Sequence, residues 1–163
     1  MEEALAHLRA DPAMSDMIDI VGPYRLKTRR NRYWSLIESI VSQQLSGAAA
    51  DSVLSRLRAM YPGRTPRPQD VASTPDEQLR LAGLSRMKVS YVKDISERVA
   101  DGRMRMRRFA GMTDEQVIEE LVEIRGIGVW TAQMFLIFSL GRLDVLPLGD
   151  LGIRRGFEIV YGI

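Results

Sequence analysis

The chain of 163 residues has no cysteine and one histidine, His7. The first absence removes disulfides, thiolate zinc sites and iron–sulfur clusters. The two together nearly exclude nucleophilic triads of the Cys–His or Ser–His kind, and transition-metal catalysis with them. His7 lies in a charged N-terminal stretch and reads as a surface residue. Acid–base chemistry is left to Asp, Glu, Lys and Tyr. Long apolar runs are missing too. Phe135 to Leu140 is apolar but falls short of the roughly 18 residues that a membrane span needs, so it reads as a buried helix. The opening MEEALAHLRAD is acidic and polar, unlike a secretory signal. No stretch alternates convincingly with period two, and there is no internal repeat. These absences point to a cytoplasmic protein, and the length suits one domain with a real core.

Charge is nearly balanced, 23 basic against 21 acidic residues for a net +2, and only three of the basic residues are lysine. Its distribution says more than its sum. Lys27, Arg29, Arg30 and Arg32 cluster, as do Arg103, Arg105, Arg107 and Arg108, and Arg154 and Arg155 form a third pair. Such clusters can hold phosphates, with an affinity that falls as salt rises. Taken one at a time they read more simply as solvated helix faces.

What the sequence does have is helical periodicity. Tyr33, Trp34, Ile37, Ile40, Val41 and Leu45 recur at spacings of one, three and four, predicting a buried helical stripe. Val53, Leu54, Leu57 and Met60 repeat the pattern, and Tyr61-Pro62-Gly63 stops it. Thr74-Pro75-Asp76-Glu77 predicts a helix start with Thr74 as N-cap and Pro75 at the first helical position. Thr113 to Gln116 predicts a capping box opening a helix with Val117, Ile118, Leu121 and Val122 inward. Met87 to Ala100 predicts another amphipathic helix, with Val89, Val92, Ile95 and Val99 inward. Segments Pro62 to Pro68 and Gly141 to Pro147 read as loops, and the first thirty residues as one or two helices. The pattern predicts an all-α, multi-helix domain.

The most informative stretch is Leu121 to Asp150, LVEIRGIGVWTAQMFLIFSLGRLDVLPLGD. An apolar helix runs into Gly126-Ile127-Gly128, a second helix leaves it, and Asp150 follows about twenty residues later. Glycines on both sides of Ile127 permit a tight turn and a close approach to a phosphate, and the amides opening the next helix form an anion site. An ordinary helix–helix connection with a glycine cap fits the same residues. Asp150 reads either as a helix N-cap or as a carboxylate lining a cleft, two compatible roles. Trp130, taken by itself, fits core packing.

The segment Ile124-Arg125-Gly126-Ile127-Gly128-Val129-Trp130-Thr131-Ala132 resembles the hairpin of the helix-hairpin-helix (HhH-GPD) DNA glycosylase superfamily, and Asp150 stands at the distance of that family's catalytic Asp. Ile40-Val41-Ser42-Gln43-Gln44-Leu45-Ser46 with Ala48-Ala49-Ala50 resembles a stretch of the 3-methyladenine DNA glycosylase II branch. Gly83 to Tyr91, followed by Ala100-Asp101-Gly102, is a third match. The three occur in the family's order over about residues 30 to 156.

The resemblance implies a single all-helical glycosylase domain over 1–163, with a two-lobed fold and the hairpin at about 118–140. The first thirty residues and the C-terminal helix would belong to a second lobe. It implies double-stranded DNA with damaged bases as partner, a nucleoid-associated location, and a monofunctional enzyme that removes alkylated purines in base excision repair. Asp150 would be catalytic, its charge stabilising the oxocarbenium character that the sugar develops. Trp130 replaces the Lys of lyase members, cannot form a Schiff base, and would stack on a cationic base. Met134 would share the base pocket, at a position that is aromatic in some relatives. Gln44 would fill the gap left by a flipped base, with Gln43, Leu45 and Ser46 beside it on DNA. Gly126, Ile127, Gly128 and Thr131 would contact DNA, the hairpin amides holding a phosphate. No cofactor is required, but a Na+ or K+ ion on the carbonyls of Val122, Ile124 and Ile127 is implied.

Family members usually continue for several helices beyond the catalytic Asp, and this chain ends at Ile163. The expectation is a fold lacking those helices, with Trp34, Leu36, Phe157 and Val160 partly exposed and a homodimer as the nearest cover. Two rival readings stay open: a truncated, catalytically weak or inactive helix-hairpin-helix DNA-binding module, and an unrelated helical interaction protein.

Overall fold

The computed structural model describes every residue except Met1, Pro23, Thr65 and Ile163, and of Arg64 the backbone alone. Among the described residues there are ten α-helices and no strand: α1 (Glu2–Leu8), α2 (Pro12–Val21), α3 (Arg32–Ser42), α4 (Gly47–Ala59), α5 (Pro68–Ser73), α6 (Asp76–Leu81), α7 (Arg86–Ala100), α8 (Asp114–Val122), α9 (Val129–Phe135) and α10 (Leu151–Tyr161). Short 3-10 turns cover Pro62–Arg64 and Arg108–Gly111, and a π-helical turn, Leu136–Leu140, extends α9. No helix is long and apolar enough to cross a membrane.

Local chemistry sets the boundaries. Side chains of Asp11, Asn31, Ser46, Ser85, Thr113 and Asp150 each accept an amide from the first turn of the helix that they cap. That satisfies donors a helix start leaves orphaned. At Thr113 the capping box is complete in both directions. Thr74 departs from expectation. Pro75 is the N-cap of α6, without a side-chain cap bond. The Thr74 hydroxyl instead bonds the Asp70 carbonyl at 2.7 Å and the Tyr61 hydroxyl at 2.9 Å. A nearby buried phenol offered the threonine a better partner than the helix start did.

The chain divides into two units, Thr28–Val145 and the pair of end segments Met1–Lys27 and Leu146–Ile163. The central unit carries one continuous core. Leu36, Ile37, Ile40 and Val41 of α3 meet Leu57 of α4, Val92 and Ile95 of α7, Leu121 of α8, and Ala132 and Phe135 of α9. Phe109 and Phe135 meet edge to face with centroids 5.7 Å apart. Each fully buried aliphatic side chain contributes about 1.5–3 kcal/mol. The expected exposure of Trp34 and Leu36 is not found: both are buried, because α3 is covered by α4, α7 and α9. Leu45 and Val122, expected on inward stripes, are exposed, since each lies where its helix has ended or is ending.

In the end-segment unit α10 packs on α2. An apolar cleft of about 320 Å³ opens between Met14, Ile18 and Tyr24 on one side and Ile153, Phe157 and Tyr161 on the other. None of its three helices has a buried residue. Phe157 and Tyr161 stack with centroids 5.5 Å apart, and both remain more than a third exposed.

Candidate nucleic-acid interface

The turn after α3 and the hairpin before α9 are built as a pair. At Gln43 the chain leaves helical geometry, with ψ 130°. Gln44 then takes φ 56°, the one non-glycine residue among those described that has positive φ. A glutamine keeps this conformation only where its surroundings impose it, and such positions gather at functional sites. Ser46 anchors the far side of the turn as N-cap of α4. Gln44, Leu45 and Ser46 stand exposed. Gln43 does not join them: its side-chain amide donates to the Gly126 carbonyl at 2.7 Å, tying the turn to the hairpin. This internal bond engages the amide nitrogen of a side chain that is only half-buried.

Lys88 fixes the turn from below. Its ammonium donates to the Val41 and Gln43 carbonyls, both at 2.6 Å. These lie at the end of α3, where carbonyls lack helical partners and the helix dipole is negative. Burial pulls the Lys88 ammonium below its ordinary pKa.

The hairpin is equally determined. Ile124 and Ile127 amides close successive turns onto Leu121 and Ile124 carbonyls, each at 3.1 Å. Gly126 has φ 86°, and a Cβ there would penetrate the ring of Tyr91. Glycine is thus required both by conformation and by space. At Gly128 a Cβ would meet nothing, so the backbone that opens α9 faces unoccupied volume. Asp94 holds the outer limb, accepting the Arg125 amide and the Arg98 Nε, each at 3.1 Å. Arg98 in turn donates to the Glu123 carbonyl at 3.2 Å. Burial alone would raise the Asp94 pKa. The Arg125 amide and the Arg98 and Arg125 guanidinium groups outweigh it, and its carboxyl is held below the usual range.

Lys88, Tyr91, Asp94 and Arg98 follow at spacings of three, three and four, so they share one face of α7. That face supports both loops. Sequence reasoning gave none of them a role, although Lys88 and Tyr91 belong to the third motif. The available signal was a polar and aromatic stripe beside the inward Val89, Val92 and Ile95.

The hairpin side chains separate by burial. Ile127 is 4% exposed and Thr131 7%, so their side chains belong to the interior, and only their backbone remains for the expected DNA contacts. Trp130, by contrast, is 49% exposed, which rules out simple core packing. Met134, one turn later, lines a cleft of about 230 Å³ with Thr131, Phe138 and the hydroxyls of Ser35, Ser39 and Ser42. Ser139 of the π-helical turn also lines this cleft and meets Ser35 hydroxyl to hydroxyl at 2.8 Å. In the other unit, Asp150 caps α10: its carboxylate accepts the Ile153 amide at 3.0 Å. A Cβ on Gly152 would press against that carboxylate oxygen at 3.0 Å, so the missing side chain leaves it room. The carbonyls of Val122, Ile124 and Ile127 lie at the end of α8 and through the hairpin, neutral oxygens near the negative pole of a helix. That donor type suits a hard monovalent cation.

A family model described as HhH-GPD superfamily base excision DNA repair protein matches residues 37–163. The chain belongs to this superfamily. Among relatives of the HhH-GPD chain is "DNA-3-methyladenine glycosylase 1" of Schizosaccharomyces pombe, 34% identical over 99% of this chain and 73% of its own length. A crystal structure of DNA-3-methyladenine glycosidase from Bacillus halodurans superposes with a TM-score of 0.88 at 41% identity, covering 95% of this chain and 71% of that one. The Schizosaccharomyces pombe 3-methyladenine DNA glycosylase, solved in complex with abasic DNA, gives 0.85 at 32% identity, covering 98% and 81%. The helix-hairpin-helix resemblance and the all-α fold expected from the sequence are both shown.

Proposed function

We propose that this HhH-GPD protein is a monofunctional DNA glycosylase that hydrolyses the N-glycosidic bond of alkylated purines, the 3-methyladenine class, in double-stranded DNA. The observation that carries the reading is the exposed Trp130 directly behind the Gly126-Ile127-Gly128 hairpin, with no lysine between Val89 and Ile163 except Lys93 on α7. An indole offers no amine for a covalent sugar adduct, so water is the nucleophile. The names of the relatives support the substrate class.

In this mechanism the hairpin amides around Gly128 receive a phosphate, and Gln44 occupies the gap that the flipped nucleotide leaves. The Trp130 face attracts a purine made cationic by alkylation at N3 or N7, and Met134 shares the base pocket. As the bond to the base stretches, positive charge grows on the sugar and the Asp150 carboxylate stabilises it. The base leaves with the bonding pair, water adds to C1′ and releases a proton to solvent, and an abasic site remains. Because the base already carries positive charge, it leaves as a neutral molecule without a dedicated acid. A monovalent ion on the Val122, Ile124 and Ile127 carbonyls would stiffen the hairpin; the reaction itself needs no cofactor. The enzyme would work in the cytoplasm at the nucleoid, and the exposed Phe157 and Ile159 would favour a homodimer, to be read by light scattering.

Release of 3-methyladenine and 7-methylguanine from methylated duplex DNA tests the reading. Expected results are release of both and no borohydride-trapped adduct above background. Salt-dependent binding without release would return the protein to the DNA-binding-module class. Efficient trapping would overturn the role given to Trp130.

A further inference from the structure

Two arginine clusters that the sequence keeps more than seventy residues apart meet in the central unit. Arg29, Arg30 and Arg32 precede and open α3, and Arg107 follows the loop after α7. All four line one groove of about 670 Å³, with Asn31 and Met106 among its other walls and no carboxylate in its lining. The groove is built rather than incidental. Arg32 Nη1 donates to the Met106 carbonyl at 2.9 Å, and the Arg29 amide donates to the Phe138 carbonyl at 2.8 Å, so both basic segments are fastened. Glu38 pairs with the Arg29 guanidinium from outside the groove. Arg30, Arg107 and the neighbouring Arg108 form no ion pair among the described residues, and all three are exposed. Concentrating unneutralised guanidinium groups this closely costs self-repulsion, which a bound polyanion removes.

The groove lies at the start of α3, whereas the Gln44 turn lies at its end. Ten residues of helix put about 15 Å between them. It therefore cannot be part of the hairpin's own phosphate site. We propose that this groove, which shares Arg29 and Ser139 with the Met134 cleft, is a second, sequence-independent binding site for the phosphodiester backbone of nucleic acid, apart from the hairpin's phosphate site. Arginine suits the task because its planar fork matches phosphate oxygens. The choice of nucleic acid over an acidic protein rests on the glycosylase reading. A second backbone site would keep the protein on DNA while the first site releases one segment and samples another.

The test is a double variant, Arg30→Ala with Arg107→Ala. Arg32 is left in place because it fastens Met106, and Arg29 because it also lines the Met134 cleft. Binding to an undamaged duplex is measured across salt, beside a charge-matched control, Arg67→Ala with Arg80→Ala, far along the sequence from the groove. The slope of log affinity against log salt should fall by about two in the groove variant and stay at the wild-type value in the control. The wild-type advantage should then shrink roughly tenfold between about 50 and 200 mM salt. Base release from a short lesion duplex at saturation should not change. A slope equal to wild type, or an equal fall in the control, overturns the site. Polyglutamate displacing DNA from wild type but not from the groove variant overturns the choice of polyanion. If wild type releases no base at all, the glycosylase reading fails while the slope comparison still decides the groove.

Discussion

The central unit and the end-segment unit hold their important side chains by different means. In residues 28–145 a closed core fixes α7, and α7 projects Lys88, Tyr91, Asp94 and Arg98 onto the backbones of the turn and the hairpin. Each loop is held by hydrogen bonds from a rigid element. Asp150 sits instead at the start of α10, in a unit whose three helices bury no residue, and is oriented by the helix that it caps. The lesson is a division of labour. The phosphate and wedge roles proposed for the hairpin and Gln44 need a precise, stiff framework, because such contacts set register on the duplex. A carboxylate that acts through its charge tolerates a softer mount, provided that its own geometry is fixed locally by the cap.

Removing the charge from the softly mounted residue gives the largest expected effect. Asp150→Asn keeps the size and an oxygen for the Ile153 amide, yet base release should fall by about 10²–10³-fold while DNA binding survives. Near-native turnover would break the comparison at its functional end. The next test is structural. Ile37→Ala in the central core should cost about 2–5 kcal/mol, whereas Ile159→Ala on exposed α10 should stay within about 0.5 kcal/mol. Chemical denaturation of both variants measures this, and equal losses would show that the two units share one stability. A smaller effect is expected at the α7 face. Lys88→Met retains the aliphatic stem and loses two bonds from a charged donor, about 1.5–3 kcal/mol of local order. Amide exchange at Leu45 and Ser46 should accelerate while that of α10 stays constant.

The smallest effect is in pH. The Asp94 pKa is depressed in the folded protein, so its contribution is complete above the ordinary carboxylate value of 3.8 and fades as pH falls through the lower folded value. Relative to the amides of α3, exchange at the Arg125 amide should therefore rise only below about pH 4, after correction for intrinsic rates. A rise already at neutral pH would mean that Asp94 does not hold the hairpin.

Periodicity made α3, α4, α7 and α8 legible, because their inward residues are apolar and the spacing of an apolar face survives in one dimension. The Thr113 box and the hairpin glycines were legible for the same local reason. What stayed hidden was tertiary. Nothing in the spacing of Lys88 or Asp94 says which distant carbonyl or amide each meets, and polar helix faces are solvated far more often than engaged. The Trp34 and Leu36 burial was missed because it depends on which helices cover α3. Gln43 and Gln44 are adjacent and identical in type, yet one faces inward and one outward. Only the left-handed backbone between them distinguishes their tasks.

That backbone also bears on how the protein would respond to selection for heat resistance. A glutamine at φ 56° is less stable there than glycine or asparagine would be, by roughly a kcal/mol. Random libraries screened only for survival at high temperature should therefore return changes at position 44 repeatedly, and those survivors should have lost the side chain proposed to enter the duplex. On the proposed wedge role, position 44 is where thermal fitness and repair fitness pull in opposite directions, as expected when an active surface is kept at the expense of the resting fold.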